Sequence, residues 1–245
     1  MNKESIKIEI NEEYYLKNKK KIIKQFNSLV KVTKNIVSPN FNTKVVENIT
    51  KQAYIELETL LSRLPYVGGD KSPFTSLMIQ SAETLAFYKA CKSLDLSDRE
   101  LGKLIYKIVE NYTQSISSFK KWLFRKKVFS NKMKKYWENW MEESQKNRFP
   151  GNWVGIFVKG DSNSFDYGFN FTECGWLKLV EKENAVEVAP YACLCDYARM
   201  RALGIGFKRT KTIAAGADMC DFRFIKGYQT LKGWPPEDLE ENKGN

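Results

Sequence analysis

The chain has 245 residues and contains no histidine, and its 40 Lys and Arg outnumber 29 Asp and Glu, which gives a net charge of +11. The absence of imidazole excludes Ser-His-Asp and Cys-His catalysis, His-ligated haem and zinc sites of the HExxH type. Acid–base chemistry near neutral pH must then come from carboxylates, thiols, Lys or Tyr with a shifted pKa. The hydrophobic content of 42% is that of a globular chain.

The N-terminal part of the chain, residues 1–149, is predicted to be mostly helical because apolar residues recur at helical spacing. The predicted helices cover residues 12–29, 42–64, 74–93, 97–112 and 117–143. Thr75 or Ser76 is the expected cap of the third of these helices. Ser97 and Glu100 form a capping-box pattern that begins the fourth.

Beyond residue 150 the pattern changes to short alternating segments, which are typical of strands. We predict a hairpin, a helix with Thr172 near its cap, a helix beginning at Pro190, and two strands around a turn. These elements cover residues 152–161, 165–173, 172–185, 190–203 and 206–226. The fold class is therefore α+β, with a helical N-terminal half packed on a C-terminal antiparallel sheet with two further helices. Residues 150–232 and the helical region should form one integrated domain, and the polar tail of residues 233–245 should be frayed.

The basic residues are concentrated in residues 120–148, where ten Lys and Arg are interleaved with aromatic side chains. Such a pattern can bind nucleic acid. Its helical spacing instead favours a solvated face on which Lys stems cover apolar neighbours, and we predict no nucleic-acid partner. No apolar run is long enough to span a membrane and no targeting segment is evident, so we predict no membrane partner and a cytoplasmic location. The sequence is compatible with a homo-oligomer.

Four of the five cysteines lie close together in the C-terminal half: Cys174, Cys193, Cys195 and Cys220. Cys174 and Cys193 fall in the first turns of predicted helices, where the helix dipole lowers the pKa of a thiol. Asp196 is three residues after Cys193 and shares its helix face, whereas Cys195 should point elsewhere. Cys91 is interpreted as a core residue.

The last predicted strand has two different faces. Cys220 alternates with Phe222 and Phe224 on one face, and Asp221 and Arg223 share the other. Each feature also has a plain structural interpretation, since buried cysteines are common and the charged residues can be a surface pair. The cysteine spacing lacks the paired C-x2-C motifs of structural zinc sites, so neither a metal nor a cofactor is predicted.

Four motifs in this half carry a family resemblance: residues 172–176 (TECGW), 190–196 (PYACLCD), 209–216 (RTKTIAAG) and 220–224 (CDFRF). Together with residues 64–69 (LPYVGG), they resemble the L-2-amino-thiazoline-4-carboxylic acid hydrolase family over roughly residues 60–226. The family name implies hydrolytic opening of a small cyclic amidine that bears a carboxylate. Cys195 is a thiol beyond the family pattern. A more distant similarity to 4-vinyl-reductase-type domains leaves a non-catalytic small-molecule- or metal-binding sensor as the alternative.

The resemblance and the residues together lead to a hypothesis for the reaction of a small-molecule substrate. A cysteine thiolate attacks the amidine carbon while a carboxylate transfers protons. Cys193 with Asp196 is the first choice, and Cys174 and Cys220 are the second. Alternatively, a carboxylate activates water and the thiols only line the pocket. Four residues are expected to bind the substrate: Arg209, Thr212, Asp221 and Arg223, with an arginine on the substrate carboxylate.

Overall fold

A computed structural model describes residues 13–39, 41–161 and 163–242, and these residues have the predicted α+β fold. The N-terminal helices are α1 (Tyr14–Lys17), α2 (Lys19–Val37), α3 (Thr43–Leu61), α4 (Pro73–Cys91), α5 (Asp98–Gln114), α6 (Ser118–Val128) and α7 (Asn131–Ser144). The predicted helical pattern is confirmed for this part, except that residue 12 lies outside the described residues. No helix among these residues is both long and apolar enough to cross a membrane.

Serine caps determine where several of these helices begin. The predicted capping box of Ser97 and Glu100 is confirmed at the start of α5. The cap predicted for α4 was wrong, because Ser72 accepts the hydrogen bond from the backbone N–H of Phe74 at 3.2 Å. The predicted basic helix is two helices, since Ser130 caps α7 by accepting a hydrogen bond from the backbone N–H of Met133.

The C-terminal part contains a four-stranded antiparallel sheet. Its strands are β1 (Val154–Lys159), β2 (Tyr167–Glu173), β3 (Gly206–Lys208) and β4 (Cys220–Ile225), in the order β1-β2-β4-β3. The predicted β1–β2 hairpin is confirmed, and so is the pairing of β3 with β4 around a turn. In the β2–β4 pair, Phe169 lies opposite Phe222 and Phe171 opposite Cys220. This register puts Cys220 beside the aromatic side chains of the sheet.

Three helices connect the strands: α8 (Gly175–Lys182), α9 (Ala189–Cys193) and α10 (Cys195–Leu203). Thr172 lies in β2 and not at the cap of α8, where Cys174 takes the cap position. The single helix predicted from Pro190 is interrupted at Leu194, so Cys193 ends α9 and Asp196 lies in the first turn of α10.

One hydrophobic core includes residues from the helices and from the sheet. Stacking of Phe74 in α4 on Trp153, with ring centroids 5.9 Å apart, joins the two parts. Trp137 in α7 packs against Phe169 in β2 at 5.2 Å. The tail predicted to be frayed is instead packed over residues 233–242, because Leu239 is only 2% exposed and Glu241 is buried. The prediction for the tail was therefore wrong over these residues.

Candidate active site

A cavity of about 240 Å³ lies between α4, α10 and the inner face of the sheet. All four C-terminal cysteines line it, none of them in a disulfide: Cys174, Cys193, Cys195 and Cys220. We call it the thiol cavity. Its wall also includes aromatic side chains of the sheet, such as Phe169 and Phe222, and the charged groups of Asp196, Arg199 and Arg209. The cavity is thus mostly apolar, with a few polar groups, as small-molecule sites usually are.

The alternation of β4 separates the predicted site residues into two groups. Cys220, Phe222 and Phe224 face the thiol cavity, whereas Asp221 and Arg223 do not line it. The Sγ atom of Cys220 accepts a hydrogen bond from the backbone N–H of Ile213 at 3.2 Å.

Thr212 is buried and contacts Cys220, but it does not itself line the thiol cavity. Its hydroxyl is 3.5 Å from the Sγ atom of Cys220. Thr212 therefore acts on Cys220 and has no surface of its own in the thiol cavity.

Asp221 and Arg223 have structural partners on the opposite face of the strand. The Asp221 carboxylate accepts backbone hydrogen bonds from Thr210 at 2.8 Å and Lys211 at 2.6 Å. Arg223 donates to the carbonyl oxygen of Phe222 at 2.9 Å. Both side chains therefore stabilise the loop and the sheet. Neither lines the thiol cavity, and their role in substrate binding stays a prediction.

Arg209 lies at the edge of the thiol cavity and is held by two carboxylates. Its Nε and Nη2 atoms donate to Glu241 at 2.5 and 2.7 Å, and its Nη1 atom donates to Asp196 Oδ2 at 3.0 Å. Its Nη2 atom also donates to the backbone oxygen of Cys193 at 3.2 Å. The Arg209 and Glu241 side chains are 1% and 0% exposed. Arg209 was predicted to bind substrate, but most of its donors already have partners inside the protein.

Asp196 presents one carboxylate oxygen to the thiol cavity. Its Oδ2 atom is bound to Arg209, while its Oδ1 atom accepts no hydrogen bond within the described residues. The Asp196 side chain is 27% exposed because it faces the cavity. Burial raises the pKa of Asp196, and the positive charge of Arg209 opposes that rise. The carboxylate is therefore a stronger base than an exposed aspartate.

The four cavity thiols are neutral at neutral pH. Burial raises the pKa of Cys174 to about 11, that of Cys195 to about 12 and that of Cys193 well above its ordinary value, although Arg209 lowers the pKa of Cys193. The pKa of Cys220 is also raised by burial. The lowering predicted for the pKa values of Cys174 and Cys193 was wrong, because burial raises both values. In addition, Cys193 lies at the end of a five-residue helix and not in the first turn of a long one. Cys195, predicted to point elsewhere, lines the same cavity.

Arg199 is a cavity residue that sequence analysis missed. It lies in α10, lines the thiol cavity and makes no hydrogen bond or ion pair with the described residues. Its spacing of three residues after Asp196 places both side chains on one helix face, and this signal was available in the sequence. Arg199 is therefore a guanidinium free to meet an anion in the cavity.

No group of three or more His, Cys, Asp or Glu side chains in the described part of the chain is arranged to hold a metal ion. Although the four cysteines line one cavity, they do not converge on a common point. The chemistry that the described residues offer is that of thiols, the Asp196 carboxylate and two guanidinium groups.

The fold and cavity together define an α+β protein whose sheet and helices enclose a cavity lined by thiols, aromatic side chains and charged groups. Residues 80–224 match the family model for L-2-amino-thiazoline-4-carboxylic acid hydrolases. Since this match covers more than half of the chain, the chain belongs to that family, and the resemblance is confirmed. The matched segment contains every residue that lines the thiol cavity except Leu77. No curated protein and no solved structure matches the chain.

Proposed function

We propose that the protein hydrolyses a carbon–nitrogen bond of a small cyclic amidine or amide that bears a carboxylate, and that the thiol cavity is its active site. The family name supports a thiazoline carboxylate as substrate. One observation carries the proposal: Asp196 has one oxygen fixed by Arg209 and the other open to a cavity that also contains Cys193. A fixed carboxylate beside a nucleophile is the arrangement that general acid–base catalysis requires.

Cys193 is the proposed nucleophile and Asp196 the group that transfers protons. The thiol proton moves to Asp196 Oδ1 as the sulfur attacks the amidine carbon. The ring carbon–nitrogen bond then breaks, and the leaving nitrogen takes the proton from Asp196. Water next adds to the same carbon, gives a proton to the Asp196 carboxylate and displaces the Cys193 thiol, which is protonated as it leaves. The net change is the addition of one water and the cleavage of one carbon–nitrogen bond.

The raised pKa of Cys193 fits a nucleophile that is activated when substrate binds. Burial keeps this thiol neutral, although the positive charge of Arg209 favours the thiolate. A protonated amidine brings a further positive charge into the cavity, and a nearby positive charge lowers the pKa of a thiol. Proton transfer to Asp196 is therefore expected to follow substrate binding.

Arg199 is the proposed binding residue for the substrate carboxylate. It lines the thiol cavity without a protein partner, whereas Arg209 is already paired with Glu241 and Asp196. A guanidinium can bind a carboxylate through two parallel hydrogen bonds. This contact would orient the ring so that its amidine carbon faces the wall formed by Cys193 and Asp196.

The test is turnover of L-2-amino-thiazoline-4-carboxylate by the purified full chain, compared with Cys193→Ser and Asp196→Asn. We expect Cys193→Ser to abolish turnover, and Asp196→Asn to lower kcat by about 10²- to 10⁴-fold. Cys91→Ala is the matched control, because Cys91 is a buried residue of α4 that does not line the cavity. It should retain kcat.

The pH dependence gives a second readout. Since Asp196 must be ionised and burial raises its pKa, kcat/KM should fall as the pH is lowered towards that raised pKa. The fall should be absent in Asp196→Asn. If Cys193→Ser keeps near-full kcat while Asp196→Asn loses activity, Cys193 is not the nucleophile and Asp196 instead activates water. Tight binding of the thiazoline without turnover by the wild type would overturn the hydrolase proposal in favour of a binding domain.

A further inference from the structure

A second cavity of about 320 Å³ adjoins the thiol cavity, between α2, α4, α5, α6 and α10. The two cavities share three lining residues: Gln80, Thr84 and Arg199. The second cavity contains no cysteine and does not include Asp196. We call it the Glu83 cavity, after the carboxylate in its wall. The proposed hydrolysis does not use Glu83.

Glu83 is a buried carboxyl group with an unused oxygen. The residue is 5% exposed, and its Oε2 atom accepts one hydrogen bond of 3.3 Å from the side chain of Gln25. Its Oε1 atom is buried and has no hydrogen-bond partner among the described residues. A buried carboxylate oxygen without a donor costs free energy, so such a group in a folded protein calls for an explanation, and a bound ligand that supplies the donor is one.

The other charged groups of this cavity are positive. Arg199 is close enough for its charge to lower the pKa of Glu83, although burial is the larger effect and raises that pKa to about 7. Lys120 of α6 and Tyr112 of α5 are the remaining titratable residues of the wall. The apolar residues of the wall are Leu29, Val109, Ile116, Phe124 and Leu203. The cavity therefore offers an acceptor, a guanidinium and an apolar surface.

We propose that the Glu83 cavity binds an apolar α-amino acid, with the ligand ammonium group on the Glu83 carboxylate and the ligand carboxylate on Arg199. An ammonium group supplies a donor to a carboxylate that accepts one hydrogen bond among the described residues, and the ligand carboxylate supplies the acceptor that Arg199 lacks. The aliphatic and aromatic wall residues would cover the ligand side chain. Since Arg199 also lines the thiol cavity, such a ligand would compete with a carboxylate bound there.

The experiment is calorimetric titration of the full-length protein at pH 8 with L-valine, L-leucine, L-methionine and L-phenylalanine. We expect at least one of them to bind with a Kd in the millimolar range or tighter. For L-leucine, the matched probes are 4-methylpentanoate, which lacks the ammonium group, and 3-methylbutylamine, which lacks the carboxylate. For whichever amino acid binds, its analogues lacking either charged group should bind at least about 10-fold more weakly, because a hydrogen bond to a charged group contributes about 1.5–3 kcal/mol.

Glu83→Gln keeps the shape of the side chain and removes its charge. It should weaken amino-acid binding at least 10-fold and leave the analogue without the ammonium group unaffected. In the wild type, affinity should rise from pH 6 to pH 8, because Glu83 must lose its proton to pair with an ammonium group. This rise should be absent in Glu83→Gln.

Two results would overturn the proposal: no binding of any of the four amino acids, or binding that Glu83→Gln leaves unchanged. The wild-type comparison of amino acid and truncated analogue tests the same claim if Glu83→Gln does not fold. Cys193→Ser should bind the amino acid as the wild type does, so binding is scored independently of hydrolysis. A failure of the proposed hydrolase function therefore remains distinguishable from a failure of this site.

Discussion

Two arginines reach the thiol cavity, and their surroundings differ. Arg209 is buried and bound to Glu241 and Asp196, whereas Arg199 has no partner among the described residues. One guanidinium therefore organises the site, and the other is available to a ligand. The first fixes an oxygen of Asp196, and the second can bind a carboxylate. Substitutions of Glu241 and Arg199 test this difference, with Glu237 and Arg223 as the points of comparison.

The largest expected effect is on stability and comes from Glu241→Gln. This change leaves Arg209 with Asp196 as its one remaining charged partner, and removing one member of a buried ion pair costs about 3–5 kcal/mol. Urea denaturation of the variant should show a lower free energy of unfolding by about that amount.

A matched control lies in the same tail. Glu237 pairs with Arg99, but the Glu237 side chain is 62% exposed. Because exposed ion pairs are screened by water and contribute little to stability, Glu237→Gln should have little effect. Equal effects of the two substitutions would contradict a structural role for the buried pair.

The second effect concerns substrate binding and comes from Arg199→Met. Loss of a charged hydrogen-bond partner costs about 1.5–3 kcal/mol, so KM for the thiazoline carboxylate should rise about 10- to 100-fold. Steady-state kinetics measures this change. Arg199→Lys, which keeps the charge without the planar fork, should give an intermediate KM. An unchanged KM in Arg199→Met would show that the carboxylate binds elsewhere.

The smallest effect is expected from Arg223→Met. This arginine donates to backbone oxygens on the outer face of β4 and does not line the thiol cavity. Loss of such a hydrogen bond should cost about 1 kcal/mol of stability and leave KM unchanged. A thermal-unfolding scan and the same kinetic assay measure both quantities. A large rise in KM would move the carboxylate site to the outer face of the sheet.

Local sequence patterns predicted much of the fold. The capping box at Ser97 and the two faces of β4 follow from side-chain chemistry within a few residues, and the structure confirms both. The alternation of β4 also predicted correctly that Cys220 and Arg223 lie on opposite faces. The family motifs located the thiol cavity, since all four cavity cysteines lie within their residue ranges.

Long-range contacts could not be predicted in the same way. Glu241 pairs with Arg209 across 32 positions, and nothing in a polar tail indicates that one carboxylate is buried. The helix is interrupted at Leu194, and Cys195 lines the cavity although the geometry of one continuous helix predicted that it points away from Cys193. The pKa values of the thiols depend on that burial. The position of a cysteine within a predicted helix therefore predicted a lowered thiol pKa where burial raises it.

The central claim is that the thiol cavity holds the substrate between Arg199 and the Cys193–Asp196 pair. A crystal structure of Cys193→Ser, grown with L-2-amino-thiazoline-4-carboxylate, tests it most directly. The account predicts the ligand carboxylate on the Arg199 guanidinium and the amidine carbon next to the residue 193 side chain. A ligand whose carboxylate lies on Arg223, or whose ring lies away from both residue 193 and Asp196, would contradict the account.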